Sequence, residues 1–248
     1  MNTGNKPHSA TGAVIVAAGM SSRMKSFKPM LPLAASTVIR TLIGTLQQAG
    51  VAPIIVVTGR NSAELTRHIA DLAVITIENI HYAKTDMFFS AGLGLNAVAD
   101  QAERVFFLPG DVPLFSRHSL AAMSEYMDQN PCDILIPTYN GRQGHPVLIK
   151  TRAIAELTAF SGQGGLRAAI KNYDGKKCRI ALPDQGLILD ADNPADYFRL
   201  TEYLAADARQ MPLTCGVNLT LSKSEVFFDA ALASLLELTQ KHGSLTKA

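Results

Sequence analysis

Ala13-Val14-Ile15-Val16-Ala17-Ala18-Gly19-Met20-Ser21-Ser22-Arg23 is an apolar run that gives way to small residues and a glycine. Its side chains are apolar at odd and even positions alike, so it reads as a strand buried on both faces. Such strands belong to parallel sheets covered by helices on two sides, where ligands bind beyond the carboxyl ends of the strands. Small residues let the backbone bend close to an anion, and successive N–H groups at such a turn form an anion-binding concavity. Arg23 and Lys28 bring charge to the same mouth. A guanidinium suits bidentate phosphate contact, and an ammonium acts as a mobile point charge. An ordinary strand-to-helix turn with two solvated basic residues would read the same way. No further glycines follow at dinucleotide-fold offsets, and no Gly-Lys-Ser/Thr is present, so two familiar phosphate loops are excluded.

Working outward, short Val- and Ile-rich runs recur at Ile54 to Thr58, Val74 to Glu78, Val105 to Leu108 and Ile134 to Thr138. Between them, Val38, Ile39, Leu42, Ile43 and Leu46 keep helical spacing until Gly50, and Leu120, Met123, Tyr126 and Met127 do so after Ser116. The alternation predicts an α/β fold of three layers, a mostly parallel sheet with a Rossmann-like nucleotide-binding half. The glycine-richer stretch from Asn140 to Asp190 is expected to form inserted strands and loops that close over the sheet edge as a lid or acceptor side. Residues 1–12 read as a disordered tail, 13–208 as the main domain and 209–248 as a linker with an incomplete helical segment. Pro212 and Gly216 mark that boundary.

Composition narrows the function. The 248 residues are 47% hydrophobic and 18% charged, which excludes a disordered chain. With 23 basic and 21 acidic side chains spread along the chain, no field exists to capture nucleic acid or an anionic membrane. Nothing approaches the roughly eighteen uninterrupted apolar residues of a membrane span, and Met1 to Gly12 lacks a signal-like stretch, so a cytoplasmic protein is expected. Cys132, Cys178 and Cys215 lack ligand spacing and read as small buried or half-buried residues.

Two acidic positions suit a divalent cation. Phe106-Phe107-Leu108-Pro109-Gly110-Asp111-Val112-Pro113 places a lone carboxylate directly after a buried strand. Ile188-Leu189-Asp190-Ala191-Asp192-Asn193-Pro194-Ala195-Asp196 follows a second apolar run and precedes a helix that Pro194 can start. Magnesium on a triphosphate takes one or two carboxylates beside phosphate oxygens and water. Turn formation by Asp111, and capping of the following helix by one carboxylate of the second cluster, are the plainer readings.

The motif Val16-Ala17-Ala18-Gly19-x-Ser21-Ser22-Arg23-Met24-x-x-x-Lys28 resembles the signature of the molybdenum-cofactor nucleotidyltransferases, with Lys25 where members carry Gly. Leu108-Pro109-x-Asp111-x-Pro113 and Asp190-x-Asp192-Asn193-Pro194-x-Asp196 resemble two further motifs of that family, Asn193 replacing Thr. Asp86-Met87-Phe88-Phe89-Ser90 resembles its Gly-Met-x-x-Ser segment with Asp86 for Gly, Arg142-Gln143-Gly144-His145-Pro146 resembles the Arg-Gly-His-Pro segment of cytidylyl-transferring members with Gln143 inserted, and Gly164-Gly165-Leu166-Arg167 resembles a further segment. The resemblance implies the nucleotide-diphospho-sugar transferase type of fold over roughly Ala13 to Leu204. It implies magnesium at Asp111 and Asp192, with Asp190 a weaker candidate. A nucleotide would be bound by Ala17, Ala18, Gly19, Ser22, Arg23, Lys28, Ser90 and Asp111, with Arg23, Lys28 and Asp111 catalytic, and the acceptor by His145 and Arg167. Met87, Phe88 and Phe89 are expected to be core for at least two of the three.

The Ala-Ala-Gly form resembles members that use CTP, so cytidylyl transfer to molybdopterin is the first expectation. Guanylyl transfer, another phosphorylated acceptor, or a non-catalytic sensor of nucleotide or cofactor are the alternatives. A molybdoenzyme or chaperone is a candidate partner, and a membrane is not. From Leu219 an apolar helical face runs to His242-Gly243-Ser244, resembling the start of a winged helix in molybdate-responsive regulators. No recognition helix follows, so specific DNA binding is not expected.

Overall fold

The computed structural model describes residues 11–19 and 27–210, with side chains to 206. The expectations for Ser21 to Lys25, and for the tail from 211 onward, lie outside the described residues. The chain opens with β1 (Thr11–Ala17), so the first strand takes in two residues assigned to a tail. A 3-10 turn, Lys28–Met30, leads to a small hairpin of β2 (Pro32–Leu33) and β3 (Ser36–Thr37), then α1 (Val38–Gln48) and β4 (Ile54–Thr58). There follow α2 (Ser62–His68), β5 (Ile75–Glu78), α3 (Met87–Val98), β6 (Arg104–Pro109), α4 (Arg117–Gln129) and β7 (Ile134–Tyr139). Next come β8 (Arg142–Gln143), β9 (Val147–Lys150), α5 (Ile154–Ala159), α6 (Gly165–Asn172), β10 (Lys177–Ala181) and α7 (Pro194–Gln210). No helix among the described residues is long and apolar enough to cross a membrane.

The main sheet runs β10-β7-β9-β6-β1-β4-β5, with β8 pairing β7 outside that path. β1 is central and parallel to both β4 and β6. Its side chains split between layers as a two-residue period requires. Ala13, Ile15 and Ala17 join the core with α1, α2 and α4, whereas Val14, Val16 and Ala18 join the core with α3, α5 and α6. The sheet is therefore covered on both faces, as expected. One expectation needs correction: β9 does not close over the edge but lies inside the sheet, antiparallel to both β6 and β7. Val147, Leu148 and Ile149 are buried on both faces, which only an interior strand achieves.

Two sequence readings concern side-chain burial. Met87 is 61% and Phe89 43% exposed, so one of the three rather than the expected two or more packs inward: Phe88, edge-on to Phe160 at 6.5 Å. Cys132 is buried and Cys178 half-buried, as read, while Cys215 lies outside the described residues.

α3 owes its close seat to Gly94, where a Cβ would press on Val14 and lie 2.8 Å from Val57 Cγ2. An exposed helical Gly→Ala change stabilises by up to about 1 kcal/mol. Here Gly94→Ala is expected to destabilise by about 1–3 kcal/mol through overpacking, measured by denaturant unfolding. Burial, with the neighbouring Cys178, pushes the Cys132 thiol up to about 12. Alkylation at pH 8 read by mass spectrometry should therefore spare Cys132 until the chain unfolds.

Candidate active site

β1 and β6 are parallel neighbours in register at Val16 and Pro109, so the loops that follow them leave the sheet side by side. Gly110 N donates to Val16 O at 2.9 Å, and a Cβ on Gly110 would sit 3.1 Å from Ala17 Cβ. A glycine is what lets the carboxylate-bearing turn lie against the loop after β1. Ala17 and Ala18 are buried and Gly19 is exposed, so the backbone opens to solvent at the glycine.

Lys28 stands at the start of its 3-10 turn, with Pro29 fixing the backbone behind it. Its Nζ donates to Asp111 Oδ2 at 3.1 Å and to Asp192 Oδ1 at 2.6 Å. The ammonium side chain is 14% exposed, against 19% for Asp111 and 42% for Asp192. Burial works against the charged amine, but the hydrogen bond to Asp192 and the charge and hydrogen bond of Asp111 outweigh it and raise the Lys28 pKa. The carboxylate read as lone is thus one jaw of a cation-holding pair. Asp190 is held above the usual carboxylate range, first by burial and then by the charges of Asp192, Asp111 and Asp196. Four carboxylates, Asp111, Asp190, Asp192 and Asp196, thus lie close enough to act on one another.

The capping reading of this cluster is resolved by Asn193. Its Oδ1 accepts from Ala195 N at 2.9 Å and Asp196 N at 3.1 Å, so the residue that replaces Thr in the motif is the cap of α7. Asp86, which replaces Gly in another motif, caps α3 by accepting from Phe89 N at 2.9 Å. Both departures are explained by local helix chemistry.

Ser90 is 2% exposed and accepts from Asn79 Nδ2 at 3.0 Å, so its hydroxyl lies under α3 rather than at an open mouth. Asn79 also donates to Thr85 Oγ1 and accepts from His81 N, each at 2.9 Å, and thereby organises the loop before α3. That loop reaches the β1 loop through Gly59, whose Cβ would lie 2.8 Å from both Ala18 O and Tyr82 Cβ.

His145 approaches from the other side. Its backbone N donates to Leu187 O at 2.8 Å, and Gly144 packs so closely on Leu187 that a Cβ would lie 2.5 Å from the same carbonyl. The imidazole Nδ1 is buried with no hydrogen-bond partner among the described residues. Burial lowers the ring's pKa, although the charge of Asp111 and a bond to the Phe107 backbone push the other way. Arg167 is exposed on the first turn of α6, a helix that approaches α3 at Gly165 and Phe88. The structure therefore brings Ala17 to Gly19, Lys28, Asp111, Asp192 and the Gly144-His145 turn toward one end of the sheet. Ser22 and Arg23 lie outside the described residues. Gly59, Asn79 and Asp184 went unread in the sequence, since an isolated Gly, Asn or Asp carries no local pattern.

The chain matches the MobA-like NTP transferase domain family over residues 13–177. It is 30% identical over 195 residues to the molybdenum cofactor cytidylyltransferase of Escherichia coli (strain K12), covering 78% of this chain and 97% of that protein. A nucleotidyl transferase from Methanothermobacter thermautotrophicus has the same fold, with a TM-score of 0.68 at 21% identity, over 80% of this chain and 99% of its own. A manganese complex of Rv0371C from Mycobacterium tuberculosis H37Rv gives a TM-score of 0.63 at 23% identity, over 78% and 98%. The chain belongs to the MobA-like NTP transferase domain family and is a nucleotidyltransferase.

Proposed function

We propose that this nucleotidyltransferase moves a cytidylyl group from CTP to the terminal phosphate of molybdopterin and releases pyrophosphate. The observation that carries the reading is the Lys28 ammonium held between Asp111 and Asp192 beside the loop after β1. Nucleotide and acceptor are chosen from the Ala17-Ala18-Gly19 form of that loop and from the Escherichia coli relative, matched over nearly its whole length.

The ammonium stands in for a cation: two carboxylates from distant parts of the chain already converge on one positive centre. Asp111 and Asp192 are thus suited to hold a divalent ion, magnesium by preference, and the Mycobacterium neighbour's manganese complex accords with a divalent ion. When bound, that ion would neutralise charge on the triphosphate oxygens. Lys28 would then be available to set its ammonium against the phosphates. The backbone at Ala18 and Gly19, with Ser22 and Arg23, cradles the triphosphate. The loop ordered by Asn79 and the start of α3 flank the base. His145, and Arg167 from α6, face the acceptor.

The reaction is an in-line displacement. A terminal phosphate oxygen of the acceptor forms a bond to the α-phosphorus of CTP, while the bond from that phosphorus to the bridging oxygen breaks. Pyrophosphate leaves with the electron pair, and no covalent bond to the protein is made. The protein acts by positioning and charge.

Pyrophosphate release, measured with each of the four nucleoside triphosphates in magnesium with and without molybdopterin, should be fastest with CTP plus molybdopterin. Faster release with GTP would overturn the nucleotide choice, and tight CTP binding without release would identify a sensor. Asp111→Ala should lower turnover about 10²–10³-fold, as loss of a preorganised charge does. Lys28→Met should lower turnover too, yet strengthen binding of Mn²⁺ alone in calorimetry, since it leaves the two carboxylates without their ammonium; weaker binding would contradict the stand-in reading.

A further inference from the structure

Asp184 is 8% exposed and belongs to neither acidic motif. Its Oδ2 accepts from Ser116 N at 2.8 Å and from Ser119 Oγ at 2.6 Å, and its Oδ1 accepts from Gly186 N at 2.9 Å. Ser116 is the cap of α4 and Ser119 lies in its first turn, so the carboxylate sits at that helix's positive end. Burying a charge is costly unless donors surround it, and three donors aimed at one carboxylate meet that cost.

The consequence runs to both sides of the cation pair. Gly186 is the second residue of the 3-10 turn Gln185–Ile188 and seats it on the chain after Asp111, where any side chain would collide with the Leu114 carbonyl. Leu187 O receives His145 N at 2.8 Å. Further on, Ala191 is fully buried and its N donates to Asp111 O at 3.0 Å. Segment 184–191 is therefore fastened at both ends to segment 111–119, and Asp190 and Asp192 flank the second fastening.

We infer that Asp184 is a positioning residue: its buried carboxylate sets the spacing of Asp111 and Asp192, and with it the affinity for the metal-bound triphosphate. This rests on the proposed reading of those two carboxylates as cation-holding groups. Loss of an outer partner that orients a metal-holding group weakens metal binding about 10–100-fold.

The test is binding of Mn²⁺ with CTP, acceptor omitted, read by water-proton relaxation in the full chain, beside CTP binding without metal. Asp184→Asn keeps one acceptor oxygen and turns an amide NH₂ toward a backbone N–H, that of Gly186 if the oxygen stays on Ser116 and Ser119, and should weaken Mn²⁺ binding about tenfold or more, with metal-free CTP binding unchanged. Ser119→Ala removes one of three donors and should weaken it less, and it carries the test should Asp184→Asn fail to fold. Mn²⁺ affinity within twofold of wild type in the folded variants would overturn the proposal. So would equal losses of Mn²⁺ and metal-free CTP binding, which mark a merely structural role. Asp192→Asn, run in parallel, separates the two ideas. If it abolishes Mn²⁺ binding and Asp184→Asn does not alter it, positioning alone is wrong; if it leaves binding intact, or wild type shows none, the cation reading fails as well.

Discussion

One ammonium between two carboxylates organises this molecule's working end. Lys28 reaches Asp111 and Asp192 across 83 and 164 positions of sequence, so three separate stretches meet only because the sheet delivers them to one end. Parallel pairing of β1 with β6 sets the first two, and the fastening of segment 184–191 to the chain after Asp111 sets the third. Two carboxylates facing one another without a cation would repel in a half-buried place, where Coulomb energies exceed their value in water. A protein that keeps such a pair needs a cation there, whether its own ammonium or a ligand of its function. The geometry is thus suited to exchange the ammonium for a divalent ion when a metal-bound triphosphate arrives, the phosphates meeting the added positive charge.

Much of the fold was readable because it is local. The all-apolar β1 and β4, the helical spacing that ends before Gly50, and the Ser116 cap of α4 each need only neighbouring residues to decide them. β9 escaped because its partners β6 and β7 are supplied by tertiary pairing, while Gly141, Gly144 and Pro146 around it look like a loop. Met87 and Phe89 were misjudged for a related reason. Asp86 caps α3 and places them in a first turn where large side chains are left exposed, whereas hydrophobicity alone sends them inward.

The site divided along the same line. Asp111 and the Asp190 to Asp196 cluster stood out as carboxylates at the ends of apolar runs, but which of them share a cation is a matter of three dimensions. Asn193 and Asp86 looked like defects in motifs and turn out to cap helices. Asp184, Asn79 and Gly59 act through buried hydrogen bonds or close approach to the backbone, and neither leaves a trace in a pattern of residue types.

The central claim is that the place of the Lys28 ammonium is the place of the catalytic cation. A crystal structure of the full chain with CTP and Mn²⁺, with anomalous scattering collected for manganese, tests it most directly. The expected result is a manganese peak bound by Asp111 and Asp192, with Lys28 turned away from them toward phosphate. Manganese elsewhere, with Lys28 still bridging the two carboxylates, would contradict it.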